Sequence, residues 1–394
     1  MIELPWDPEV DSPATIAIIG GGPVGIEAAI YARFLGYFVS IFEQRRVAHR
    51  MLDWHERPLA VSAHLCTTPM GHAAIQAQEP VYQRCKPDHI YSGKSYAEEY
   101  LLPLAKSDLL FDDIHFLSPV ADVSRIRTTR TDAIHPQERC NDEFRILIDG
   151  RHRGPWVSLA DVVIDCRGCQ QQSAGLGPGG GLAIGESALR ESFLLHTPRD
   201  RKFVTKSIAG KHVCVVGQTV KACQFVTEFA THYPDMAETR LTWVIRPDRC
   251  HDSAMMTESL QSILPLYPTN VVILEALGVE QIDRNEAGCY LVRLLKDDNS
   301  CVELKCDAVV SMTGSRTRVL SNELHPGMLR ESAEVPAFVS NEPGLYVLQG
   351  GDLEDGAGVG LAQAFDNIRQ LFAMLAGRED LDLYGIIEKQ NHGI

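Results

Sequence analysis

Residues 14–44 read ATIAIIGGGPVGIEAAIYARFLGYFVSIFEQ. An apolar run from Thr15 to Ile19 stops at three glycines. A stretch of small and large apolar residues then starts at Pro23, and a second apolar run from Phe38 to Phe42 ends in Glu43 and Gln44. This order is a strand, a tight turn, a helix and a second strand, a βαβ unit of the dinucleotide-binding kind. Gly20 lets the chain turn sharply out of the strand, Gly22 lets backbone approach a pyrophosphate, and Gly25 lets the helix lie close on the sheet. Pro23 and Val24 open the helix, where the missing proline N–H costs nothing. The helix N-terminus offers N–H groups and partial positive charge to phosphate. Glu43 is placed to accept from ribose hydroxyls and repels a 2′-phosphate, so FAD or NAD is expected here rather than NADP.

The other properties of the chain are those of a globular enzyme. It has 394 residues, 45% hydrophobic and 23% charged, enough for two or three domains. A formal charge of −15 argues against nucleic acid or an anionic membrane as partner, and an acidic carrier protein suits it poorly. No uncharged apolar run is long enough to span a bilayer. The opening MIELPWDPEVDSP is acidic and proline-rich, unlike a secretory signal, and eleven scattered cysteines fit a reducing cytoplasm.

After Gln44 comes a polar and aromatic stretch of poor periodicity, residues 45–74, read as a long packed loop around Trp54, Leu59, Val61 and Leu65. It carries His55, Arg57, His64 and Cys66, with no spacing that suits a metal. For each of these, the reading as a surface or satisfied polar residue stands ahead of a functional one. Ser95 with Glu98 three residues on predicts a capping box opening a helix over 95–106, with Pro103 limiting its regularity. Short strand-like pieces over 114–149 predict a small antiparallel insertion feeding a strand at 161–164. The following DCRGCQQQSAGLGPGGG holds Cys166 and Cys169. A redox role for this pair is disfavoured because no helix N-terminus follows to lower a thiol pKa.

A second βαβ begins at Lys211, with strands at 212–216 and 241–245. Gly217 stands at its turn, but Thr219 and Ala222 occupy the second and third glycine positions. Ala222 still permits close packing, whereas Thr219 puts a Cβ where backbone should meet the pyrophosphate; its hydroxyl can cap the helix instead. Arg246 follows the second strand where the first unit has Glu43, and can pair with a 2′-phosphate. Two readings therefore stand: an NADPH site, or a Rossmann-shaped domain that has lost its ligand. A helix over 251–264 and strands at 271–274, 291–295 and 301–304 complete this domain. Further on, SMTGSR turns at Gly314, and LYVLQGGDLEDG runs from a strand through Gly351 and Asp352 into a helix containing Gly360.

These motifs resemble the flavoproteins with two dinucleotide-binding domains, a superfamily that includes thioredoxin reductases, ferredoxin–NADP reductases of that fold and flavin-containing monooxygenases. The resemblance implies an α/β fold with two three-layer Rossmann-like domains, the second inserted in the first. The FAD domain would be 1–205 with 317–394, and the NAD(P)H domain 206–316. It implies that Gly20, Gly22, Gly25 and Glu43 hold the ADP half of FAD, that Asp352 contacts the ribityl chain, and that Gly217, Thr219, Ala222 and Arg246 meet NADPH or NADH. DCRG stands where the superfamily ends its first crossover in Thr-Gly, with Arg167 replacing the threonine. A homodimer is left open.

No cysteine pair lies where the disulfide reductases of this superfamily carry theirs, which argues against a thiol–disulfide relay. The first expectation is a FAD- and NADPH-dependent monooxygenase acting on a small molecule, with His55 and His64 as candidate catalytic side chains. A dithiol-free reductase and a flavin-binding protein without NADPH turnover are the alternatives.

Overall fold

A computed structural model describes residues 4–56, 58–59, 61–168, 172–193, 208–219, 222–223, 225–227, 229, 238–246, 270–316, 320–329, 335–349 and 358–392. The chain forms two compact units, residues 1–169 with 317–394, and residues 170–316.

In the first unit, β1 (Thr15–Ile19) and β2 (Phe38–Phe42) run parallel on either side of helix α1 (Pro23–Phe34) in sequence. They join β3 (Ile114–His115), β7 (Val162–Asp165) and β17 (Leu345–Val347) in a parallel sheet of order β17-β7-β1-β2-β3. Side chains alternate across a strand, so β1 serves two layers at once. Ile16 and Ile18 enter one apolar cluster with α1 and the Gly358–Leu375 helix. Ala17 and Ile19 enter another with an antiparallel sheet of β4 (Val120–Arg125), β5 (Phe144–Gly150) and β6 (Gly154–Ala160). Because α1 is covered on every side, Val24 to Ala32 are all buried and include no strongly polar residue except Glu27.

The second unit repeats this plan. Strands β9 (His212–Val216), β10 (Arg240–Ile245), β11 (Val271–Glu275) and β15 (Ala308–Ser311) form a parallel sheet of order β11-β10-β9-β15. Cys214 and Val216 of β9 pack toward an antiparallel meander of β12 (Gly278–Arg284), β13 (Tyr290–Leu295) and β14 (Cys301–Cys306), while Val213 and Val215 face the other way with Ala222, Val226 and Phe229. Short strands β8 (Gln172–Ser173) and β16 (Ser315–Arg316) pair with each other, and the 3-10 turn Pro178–Gly180 packs beside β12, so residues 172–180 belong to this unit. This is the two-Rossmann α/β fold expected of the sequence, with an antiparallel layer in each unit.

Two local expectations need correction. The stretch after Gln44 is not a loop but three short helices, α2 (His49–Trp54), α3 (Ala63–Cys66) and α4 (Pro69–Gln78). The last has a readable signal: Thr68 caps it by accepting from Gly71 N, and Pro69 takes the first turn. The helix placed at 95–106 starts one turn earlier, because Ser92 and Ser95 form the capping box. Its middle, Ala97–Leu101, is a π turn, which accommodates Pro103, a residue with no N–H to give.

Glu27 is the exception inside α1. Its carboxyl accepts from Thr68 Oγ1 at 2.6 Å and from Tyr100 OH at 3.2 Å, and the Tyr384 hydroxyl faces it without a hydrogen bond of ordinary geometry. Burial pushes Glu27 up to about 7, against the pull of these hydroxyls. The folded state thus holds a proton that the unfolded chain releases near pH 4.5, so this group's contribution is complete below pH 4.5 and is lost as pH rises through 7, by about 3 kcal/mol. Buried His72, pushed down to about 4, acts in the opposite direction over the acidic range, so the difference between variants is the useful readout. Glu27→Gln is expected to match the parent's urea stability at pH 4.5 and to exceed it by about 2–3 kcal/mol at pH 8. Parallel pH profiles for the two proteins would remove the account.

Candidate functional site

In the first unit the chain leaves β1 for β2 on one side, while β7 lies on the other. The carboxyl ends of β1 and β7 therefore form a topological switch point, where open α/β sheets leave a crevice. Gly20 has φ +111°, and an added Cβ would stand 2.8 Å from Cys166 O. A Cβ on Gly25 would stand 1.9 Å from Gly20 O, and one on Gly21 would press on the Glu43 side chain at 3.3 Å. Gly22 differs: it is extended (φ −86°, ψ −174°), and a Cβ there would meet nothing within 4 Å. Protein contacts thus account for the other three glycines, and the open side of Gly22 faces space that a ligand can enter.

Gly22 is also the N-cap of α1, and no side chain caps that helix or places an acid in its first turn. Pro23 and Val24 begin it, and the first turn keeps its positive end for an anion. Glu43 is buried at the end of β2, accepting from Gly21 N and Arg45 N at 2.8 Å each, one bond per carboxylate oxygen. Each oxygen retains a lone pair for a further donor. Gln44, Arg45 and Arg46 are exposed beside it. On the other side of β1, at the end of β7, Asp165 and Arg167 are paired through two bonds at 2.9 and 2.7 Å. Sequence reasoning registered Arg167 only as a departure from a motif and missed Asp165, because nothing local shows that β7 lies against β1.

The second switch point has the same construction. Gly217 has φ +123°, and a Cβ there would stand 2.1 Å from Met312 O. Thr219 Oγ1 donates to Met312 O at 3.2 Å and accepts from Ala222 N at 3.3 Å, so its hydroxyl serves the helix start. Its methyl carbon lies 3.7 Å from where a Gly314 Cβ would be. Arg246 is exposed at the end of β10, its backbone N–H donating to Gln218 Oε1 at 2.8 Å. Trp243 Nε1 donates to Gly217 O at 2.7 Å and holds the turn from below. Gln218 and Trp243 were not singled out, since an indole in a strand reads simply as core.

His55 lies just past α2 with φ +52° and ψ −134°, a conformation rarely adopted outside glycine and concentrated at functional positions. His64 is exposed on α3, its Nδ1 at 3.0 Å from both Ser62 Oγ and Pro87 O. Among the described residues the hydrogen bonds of the two histidines have no partner in common. Gly360 lies in the Gly358–Leu375 helix. Gly351, Asp352, Cys169 and the 251–264 segment lie outside the described residues. Cys166 is buried with its thiol pushed well up by burial, and Cys214, also raised, is buried with Cys306 in the second core.

No protein-family model and no curated protein matches this sequence. Solved structures do. DfoA, the desferrioxamine-pathway cadaverine monooxygenase of Erwinia amylovora, bound to FAD, superposes with TM-score 0.58 at 12% identity, covering 94% of this chain and 96% of its own. The bacillithiol disulfide reductase Bdr of Bacillus cereus gives 0.53 at 13% identity over 90% of this chain and 99% of its own. The ornithine N-hydroxylase KtzI of Kutzneria sp. 744, with FAD, NADP+ and L-ornithine, gives 0.52 at 13% over 96% of this chain and 100% of its own. The chain accordingly has the fold of the flavoproteins with two dinucleotide-binding domains, a fold shared by monooxygenases and disulfide reductases.

Proposed function

We propose that this protein is a FAD-dependent oxidoreductase that takes hydride from NADPH and uses the reduced flavin with oxygen on a small-molecule substrate. The observation that carries the reading is Gly22, an open cradle over an uncapped helix N-terminus, beside a buried carboxylate with acceptor capacity to spare. These residues fit the ADP half of FAD: the α1 N–H groups take the diphosphate and Glu43 the ribose hydroxyls. Bound flavin supplies the redox chemistry, and the chain binds and orients it. At the second turn, Arg246 offers its cation to a 2′-phosphate while Thr219 keeps its hydroxyl on the protein. That disposition favours NADPH over NADH.

The monooxygenase branch is favoured because the described thiol beside the first glycine turn, Cys166, is buried and pushed well up by burial, and Cys214, on the strand that leads into the second turn, is enclosed in a core and also raised. Similarity to Bdr supports a second reading, a reductase that passes electrons to a small acceptor without an internal dithiol. Protein reduced anaerobically with NADPH and then mixed with oxygen separates the two. A monooxygenase is expected to consume oxygen and, without substrate, to release peroxide at a rate that candidate amines or thioethers change. A reductase is expected to reoxidise slowly in oxygen and rapidly with a disulfide or quinone. Absence of reduction by NADPH would contradict both.

A further inference from the structure

The two switch points are built alike, which isolates one residue as an addition. In the first, Gly20 N donates to Phe42 O and Cys166 N donates to Ile19 O, each at 2.9 Å. In the second, Gly217 N donates to Val244 O at 3.1 Å and Met312 N to Val216 O at 2.8 Å. After β7 the chain reads Cys166-Arg167-Gly168 and after β15 Met312-Thr313-Gly314, each closing on a left-handed glycine (φ +68° and +89°). Both turns wedge backbone against the first glycine of their unit. The same backbone therefore accepts a small neutral threonine, and the turn itself does not require a guanidinium.

Arg167 is nevertheless held firmly. Its Nε donates to Asp165 Oδ1 at 2.9 Å and its Nη2 to Oδ2 at 2.7 Å, while its backbone N–H also donates to Oδ1 at 3.1 Å. Asp165 stands opposite Ile19 in the sheet, the residue before the glycine turn, and the Arg167 side chain is 15% exposed. Arg167 Cα lies 3.2 Å from where a Gly20 Cβ would stand, so the residue sits at the glycine turn, and Glu43 and Asp165 put two carboxylates at the ends of the flanking strands, where a cation has an electrostatic task.

Resting on the FAD reading above, we infer that Arg167 is a diphosphate-clamping residue of the first glycine turn, with Asp165 fixing its guanidinium plane. Such a clamp acts on ligands that carry a diphosphate and on no others. The apoprotein and its variants are titrated with FAD, ADP and adenosine, with thermal melting recorded in parallel. Arg167→Gln is expected to weaken FAD and ADP at least tenfold and to leave adenosine within twofold. Arg167→Lys, which keeps the charge without the fork, is expected to fall between, and carries the test should the glutamine variant fail to fold. The double variant D165N/R167Q separates clamping from neutralisation of Asp165, and is expected to remain as weak for ADP as R167Q. Binding of ADP by R167Q within twofold of the parent, or recovery in the double variant, would overturn the inference while the FAD site stood. A parent that bound neither FAD nor ADP would instead defeat the cofactor reading on which it rests.

Discussion

Gly22→Val is expected to lose only about 1 kcal/mol of stability at the α1 N-cap and to bind FAD at least a hundredfold more weakly, about 2.7 kcal/mol or more. The backbone there is extended, which valine tolerates, and a Cβ meets no protein atom. Its branches instead fill the space through which a diphosphate reaches the α1 N–H groups. Gly25→Ala is the contrasting variant: its Cβ would stand 1.9 Å from a backbone oxygen, so α1 must move off β1 and the apoprotein should lose about 2 kcal/mol or more. Equal FAD affinity in Gly22→Val and the parent, read by fluorescence titration, would mean that the cradle holds no dinucleotide.

The second large effect concerns stability. Glu342 is fully buried between two guanidinium groups, accepting from Arg125 Nε and Arg139 Nε at 2.9 Å each and from His325 N at 3.0 Å. Backbone carbonyls share the cations: Arg139 Nη1 donates to Thr129 O at 2.7 Å, Arg125 also donates to Asp142 O and Pro343 O, and Arg125 lies 3.5 Å over the Phe144 ring. This network ties the antiparallel sheet to the segment that leads into β17. Removing the only carboxylate among the described residues that is bonded to both leaves two buried cations, and losing one partner of such a network costs about 3–5 kcal/mol. Glu342→Ala is expected to lower the urea midpoint accordingly, and a change under about 1 kcal/mol would show that the cations find other partners.

The legible parts of the site were those governed by short-range geometry. Gly20 and Gly25 are required by contacts with the turn and the adjoining strand end, and Glu43 follows β2 directly, so a reader of residues 14–44 meets all of them in one line. Thr219 was likewise legible as a helix cap, since the hydroxyl's partner lies three residues on. What could not be read came from strands that meet only in the folded sheet. Asp165 and Arg167 lie far along the chain from Gly20, and nothing local says that β7 lies beside β1. The helices at 49–78 were hidden for another reason: each is short, their apolar residues are split among several contacts, and no period persists long enough to register. The early start of the 93–105 helical stretch shows how an S-x-x-E pattern one turn late can imitate a cap.

The most direct test is the visible spectrum of the protein, incubated with FAD and freed of excess, before and after anaerobic addition of NADPH. Two working dinucleotide sites predict flavin absorbance retained on the protein and bleached by NADPH, more efficiently than by NADH. A protein that retains no flavin would contradict the account at its first glycine turn, and one that stays yellow under NADPH would contradict it at the second.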